Sequence, residues 1–165
     1  MKNINIFCFG FGQVAKNFIK KLIIEKYNIT LTATSRNKSS KENFNGINYN
    51  NYLFDSDKFD NNLLVELKKA DHILVSIPPE KQGDLVVKNF SKYIEDSKVK
   101  WITYLSATSV YGDHNGEWVN ENSETKPTSS NGIARLKAEN SWLLLQRSKN
   151  LSVQIFRLSG IYSNE

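Results

Sequence analysis

Apolar side chains recur along this chain in two rhythms. Short runs rich in β-branched and aromatic residues, at 2–9, 29–35, 47–54, 72–77, 99–106 and 152–157, predict six strands. Between them, apolar residues return at helical spacing over 12–26, 56–69 and 80–93. A further helix is expected to open at Ser129 or Ser130 and to turn Ala134, Ala138, Trp142 and Leu145 to one face. The polar residues 36–45 read as a loop, and 107–128 as a longer one. The run His72-Ile-Leu-Val-Ser-Ile77 is nearly continuous, as for a strand covered on both faces, and Pro78-Pro79 stops it. Strands that alternate with helices pair in parallel through crossovers. The expected product is an α/β doubly wound parallel sheet in strand order 3-2-1-4-5-6, with residues 1–165 forming one domain.

The first strand runs into Gly10-Phe11-Gly12-Gln13-Val14-Ala15, and a helical pattern follows at once. Gly10, Gly12 and Ala15 fit the G-x-G-x-x-G/A turn of a Rossmann dinucleotide-binding unit. Gly10 lets the backbone leave the strand sharply, and Gly12 has no Cβ to obstruct a pyrophosphate. Ala15 lets the helix approach the strand closely. The free N–H groups of the first helical turn and the helix dipole then face the anion. A glycine turn with no ligand is the plainer alternative, set against the strand before the turn and the helix after it.

At the end of the second strand an acidic residue would bind ribose hydroxyls and repel a 2′-phosphate. Here the chain reads Thr34-Ser35-Arg36, with no Asp or Glu. Arg36 can meet a phosphate through its planar fork, helped by the Ser35 hydroxyl. NADP is therefore the expected cofactor and NAD the alternative. An ordinary surface arginine is the competing reading of Arg36.

Composition narrows the field. Hydrophobic residues make up 39% and charged residues 24%, ordinary values for a globular chain with a real core. No apolar run reaches the length of a membrane span, and the start lacks the layout of a secretory signal, so a cytoplasmic protein is expected. One cysteine, Cys8, cannot form an internal disulfide, and its place inside a strand suits a buried hydrophobe. Two histidines, His72 and His114, show no ligand spacing, so no metal site is expected. The net charge of +5 comes from scattered lysines rather than a dense run, which argues against nucleic acid and favours an anionic cofactor.

Several later stretches carry a family resemblance. Leu105-Ser-Ala-Thr-Ser-Val-Tyr-Gly112 looks like an "SSxxVYG" strand end, and residues 121–139 resemble "E…P…YGxSKxxxE". Phe156-Arg-Leu-Ser-Gly-Ile-Tyr162 resembles "xRxxxxYG". In this order they resemble the extended short-chain dehydrogenase/reductases, also called NAD-dependent epimerase/dehydratases. The atypical subgroup related to nucleoside-diphosphate-sugar epimerases, with its "VPP" (here Ile77-Pro78-Pro79), is the most similar. The resemblance implies a pyridine dinucleotide, a nucleotide-sugar substrate, and hydride exchange with a hydroxyl or ketone. It adds Asp55, at the end of the third strand, as a residue near the adenine, although a turn or N-cap role serves equally. It also implies a C-terminal substrate lobe, which a chain ending at Glu165 would lack, either as a fragment or as a reduced form. Pairing of two copies through helices, the one after Ser130 among them, would make a homodimer.

The family's catalytic pattern is a Tyr as acid/base, a Lys that lowers its pKa, and a Ser or Thr that orients the substrate. Alignment on Gly132, Ala134 and Glu139 puts Asn131 at the Tyr position and Arg135 at the Lys position. Alignment on Val110-Tyr111-Gly112 puts Ala107 at the Ser/Thr position, between Ser106 and Thr108. No shift restores Tyr-x-x-x-Lys, because Ile133 stands four residues before Lys137. Tyr111 is the nearest spare phenol, and packing is its alternative role. Asp84, after Gly83, either faces the cleft in place of a family asparagine or complements a helix dipole. Glu117, Glu121 and Glu124 are expected to face water, and Trp118 to cover the cleft or anchor its loop. The candidate set is thus Ser106, Thr108, Tyr111, Asn131 and Arg135 for chemistry, with Gly10, Phe11, Gly12, Gln13, Val14, Ser35, Arg36, Asp55, Ile77, Pro78 and Pro79 for the cofactor. A non-catalytic NADP-binding or sensing module is the alternative function.

Overall fold

A computed structural model describes residues 3–149 and 151–161. Its elements run β1 (Ile4–Phe9), α1 (Gln13–Ile24), β2 (Ile29–Ser35), β3 (Ser40–Phe44), β4 (Ile47–Asp55), β5 (Lys58–Phe59), α2 (Asn62–Lys69), β6 (His72–Val75), α3 (Leu85–Glu95), β7 (Trp101–Ala107), α4 (Ser130–Lys149) and β8 (Val153–Leu158). A single 3₁₀ turn, Thr108–Val110, follows β7. The sheet order is β3-β4-β2-β1-β6-β7-β8, with β5 paired to β4 alone. Without β3 and β5, the remaining six strands are parallel and lie in the expected order 3-2-1-4-5-6.

Strand alternation divides the core into two layers. Phe7 and Phe9 point to one face of β1 and pack with Leu63 and Leu67 of α2, Phe90 and Ile94 of α3, and Ala138 and Trp142 of α4. Ile6 and Cys8 point to the other face and meet Ala15 and Ile19 of α1, with Leu31 and Ala33 of β2. Cys8 is fully enclosed, and burial pushes its thiol up to about 12, so it behaves as a small hydrophobe. The helix expected after Ser129 begins there, and Gly132 N–H donates to the Ser129 hydroxyl at 3.1 Å.

Three boundaries differ from expectation. Residues 36–45 are not simply a loop, because β3 pairs antiparallel with β4 across the two-residue turn Asn45-Gly46. Both turn residues take left-handed φ values, 48° and 86°, the geometry that suits a tight hairpin. The expected helix 56–69 starts only at Asn62. Ahead of it, Phe59 reaches the core from β5, its ring centroid 5.0 Å from that of Phe90. The expected helix 80–93 starts at Leu85, after Glu80 and Gly83 bond to each other and Asp84 caps it. Asp84 Oδ1 accepts from Val86 N–H and Val87 N–H, each at 2.9 Å. Of its two expected roles, the helix cap is the one present. Tyr162, in the last resemblance segment, lies outside the described residues.

Candidate functional site

The carboxyl ends of β1, β2, β4 and β6 enclose a cleft of about 550 Å³. Open parallel sheets bind ligands at this edge. Nine of the eleven residues expected at the cofactor line it: Gly10, Phe11, Gly12, Ser35, Arg36, Asp55, Ile77, Pro78 and Pro79. Gln13 and Val14 belong to the first turn of α1 and are not on the cleft wall.

The two glycines have different local reasons. Gly10 has φ +83°, and a Cβ there would lie 2.7 Å from Ile77 Cγ2 and 2.9 Å from Ser76 Oγ. Its N–H donates to Thr34 Oγ1 at 3.0 Å, while the Ser76 hydroxyl reaches the carbonyls of Phe9 and Gly10 at 3.2 and 3.1 Å. The protein itself therefore demands a glycine at this position. Gly12 has an ordinary φ of −80°, and a Cβ there would meet nothing within 4 Å. No packing need accounts for Gly12, whose missing side chain leaves open space before α1. No side chain caps the first turn of α1 and no acid lies in it, so its N–H groups stay open to an anion. Ala15 is fully buried beneath that turn.

Between the glycines, the Phe11 ring packs against Phe44 and Tyr49, with centroids 5.3 and 5.2 Å apart. The β3–β4 hairpin thereby holds the glycine turn from outside. On the β2 side, Arg36 is exposed and makes no ion pair among the described residues, which leaves its guanidinium available to the cleft. Ser35 lies beside it, with its hydroxyl oxygen 2.8 Å from Asn51 Nδ2. Sequence reading missed Thr34, Asn37, Ser56, Ser76 and Glu80 on the cleft wall. Thr34 and Ser76 were legible as hydroxyl residues at strand ends, but their bonds to the glycine turn are long-range.

The residues proposed for chemistry do not line this cleft. Asn131 is exposed on the first turn of α4, and Thr108 is exposed on the 3₁₀ turn. The Arg135 guanidinium donates to the Leu105 carbonyl, which ties it to β7. Ser106 is buried, and its hydroxyl finds no partner among the described residues. Tyr111 is buried beneath the Arg157 guanidinium, which lies 4.8 Å from its ring centroid. Arg157 stands beside Ser106 in the β7–β8 register and forks onto the buried Glu139 carboxylate, at 2.8 to 3.2 Å. The Glu139 carboxylate holds the Arg157 charge firmly in place, above the ordinary arginine range. Asp84 Oδ2, Tyr104 Oη and Trp142 Nε1 are buried in the same helix–sheet layer and meet no hydrogen-bond partner among the described residues. Burial raises the Asp84 carboxyl above its usual range, against the opposing pull of the Val87 N–H.

The remaining candidates take plain places. Burial lowers the His72 pKa, and His114 Nε2 lies 3.1 Å from the Glu124 carbonyl. Glu117, Glu121 and Glu124 are exposed, and so is Trp118, which does not line the cleft. Among the described residues no group of three or more His, Cys, Asp or Glu is placed to hold a metal ion. No helix among them is long and apolar enough to cross a membrane.

With this geometry in place, comparison with solved structures defines the class. A functionally unknown conserved protein from Silicibacter pomeroyi DSS is 30% identical, with a TM-score of 0.77 over 96% of this chain and 54% of that one. UDP-glucuronic acid 4-epimerase from Bacillus cereus, solved with NAD, is 16% identical, with a TM-score of 0.77 over 96% of this chain and 57% of that one. A short-chain dehydrogenase/reductase superfamily protein from Agrobacterium tumefaciens, solved with bound NAD, is 15% identical, with a TM-score of 0.66 over 93% of this chain and 48% of that one. The chain has the Rossmann-type α/β fold that these solved structures share. It spans about half the length of these solved chains. No protein-family profile and no curated protein matches the sequence.

Proposed function

We propose that residues 1–165 form a dinucleotide-binding domain that holds NADP in the cleft and serves hydride exchange on a nucleotide-sugar-like substrate. The observation that carries this reading is Gly12: open space where a side chain would stand, directly before an uncapped helix N-terminus. The first turn of α1 would hold the pyrophosphate, Arg36 and Ser35 a 2′-phosphate, and Asp55 with the Ile77-Pro78-Pro79 edge the adenosine side. A bound pyridine dinucleotide supplies the hydride chemistry, and the chain's own residues bind and orient it. The fold likeness to a UDP-sugar 4-epimerase and to a protein solved with NAD supports the cofactor and substrate classes.

A second reading, a non-catalytic NADP-binding or sensing module, is favoured by Asn131 and Arg135. An asparagine amide has no phenolic proton to give, and Arg135 remains charged and tied to Leu105. An apolar groove along α4, where Ile133 and Leu144 are exposed, supports a homodimer.

Fluorescence titration with NADPH and NADH tests the cofactor, with tighter NADPH binding expected. Equal or tighter NADH binding would refute the NADP assignment. Turnover of NADPH with nucleotide-sugar or keto-sugar substrates separates enzyme from module, since binding without turnover selects the second reading.

A further inference from the structure

Ser35, at the ribose side of the cleft, is wired from behind. Its hydroxyl oxygen accepts the Asn51 side-chain N–H at 2.8 Å and the Asn37 backbone N–H at 3.3 Å. A serine hydroxyl has two lone pairs and one proton. Both lone pairs are filled, and no acceptor among the described residues takes the proton. Ser35 is left as a donor on the wall of the cleft.

Asn51 sets that polarity, and its own orientation is fixed in turn. The side chain is 5% exposed on β4, and the same amide nitrogen that meets Ser35 also donates to Glu42 Oε1 at 3.1 Å. A carboxylate only accepts, so the NH₂ end of Asn51 must face it. Glu42, on β3, is held by Tyr49 Oη at 2.7 Å and Ser40 Oγ at 2.8 Å. The relay therefore runs from the β3–β4 hairpin to the ribose end of the cleft.

We propose that Asn51 and Glu42 are positioning residues for nucleotide selectivity, which lock Ser35 as a donor so that the ribose end takes an acceptor-only phosphate monoester. The proposal rests on reading the cleft as a pyridine-dinucleotide site. A ribose hydroxyl placed there brings a proton that this donor wall leaves unpaired. A 2′-phosphate brings only acceptors and gains a charge-assisted bond from Ser35.

The test is a set of binding titrations with NADPH, NADH, 2′,5′-ADP and 5′-ADP on the full chain, with folding followed by circular dichroism. Asn51→Asp turns the Ser35 proton inward toward the new carboxylate. The expected result is NADPH and 2′,5′-ADP binding weakened about tenfold to hundredfold, the worth of one hydrogen bond to a charged group. NADH and 5′-ADP should change by less than about threefold. In a Ser35→Ala background, Asn51→Asp should move the NADPH-to-NADH ratio no further, because its effect passes through the missing hydroxyl. Should Asn51→Asp fail to fold, the exposed Glu42→Gln carries the test, with the same ratio expected to fall severalfold. A ratio unmoved by these variants, or moved equally in the Ser35→Ala background, overturns the relay while leaving the cofactor reading intact. A wild-type chain that binds none of the four nucleotides overturns both.

Discussion

Gly10 and Gly12 stand two residues apart in one turn, yet they are expected to fail in opposite ways. Gly10→Ala puts a Cβ on a residue at φ +83°, a left-handed conformation that costs an L-residue about 1–2 kcal/mol. The same Cβ would press on Ile77 Cγ2 at 2.7 Å and Ser76 Oγ at 2.9 Å, and overpacking of this kind adds about 1–3 kcal/mol. The sum, about 2–5 kcal/mol, corresponds to a drop in Tm of roughly 5–15 °C for a domain of this size. Gly12→Ser meets no protein atom and places a good N-cap residue before α1. Removing a glycine's unfolded-state freedom adds about 0.4–1 kcal/mol, so Gly12→Ser should be at least as stable as wild type. Its hydroxyl would take the N–H groups meant for the pyrophosphate, and its bulk would fill the open space. NADPH affinity should then fall by tenfold or more, about 1.4 kcal/mol. Thermal denaturation and NADPH fluorescence titration on the same preparations separate the two effects. Wild-type NADPH affinity in Gly12→Ser would refute the argument, because Gly12 would then have neither a structural nor a ligand reason.

Other expectations concern charge. Arg36→Glu should weaken NADPH by at least tenfold while sparing NADH, and equal losses for both nucleotides in titration would remove Arg36 from the phosphate site. Glu139→Gln leaves the Arg157 guanidinium without its counter-charge in a largely buried setting, and urea denaturation should report a loss of about 3–5 kcal/mol. A loss below about 1 kcal/mol would mean that the pair behaves like a surface one. For Asp84, burial raises the folded-state pKa, so its contribution to stability is complete below the ordinary aspartate value and is lost as pH rises through the raised one. Asp84→Asn, which keeps a capping oxygen without the charge, should be more stable than wild type at neutral pH. That advantage should shrink as pH falls, and urea denaturation across a pH series would contradict it if the gap stayed constant.

Much of this fold could be read directly from the chain because its strongest signals are local. Ile6 and Cys8 against Phe7 and Phe9 is an alternation that any sheet covered on both faces must satisfy, and the glycine at position 10 of the strand-to-helix turn follows from backbone sterics. The six-strand order came from the alternation of strands with crossovers, which permits few topologies. The β3 strand escaped because Ser40–Phe44 is polar and exposed along most of its length, so it shows no apolar period. Asn45-Gly46 did hold a hairpin signal, and only its pairing with β4 gave that signal meaning. Phe59 satisfied a helical spacing by chance of position and packs, half-buried, against the core from β5 instead.

The site divides along the same line. The sequence by itself determined the glycine turn and the absence of an acid after β2, since each depends on the chemistry of single residues. The tertiary structure decided that Arg135 binds the Leu105 carbonyl, that Tyr111 lies beneath Arg157, and that Asn51 and Glu42 stand behind Ser35. Those hydrogen bonds and charge contacts join residues far apart in the chain, and their direction is set by which lone pairs and protons the fold brings together.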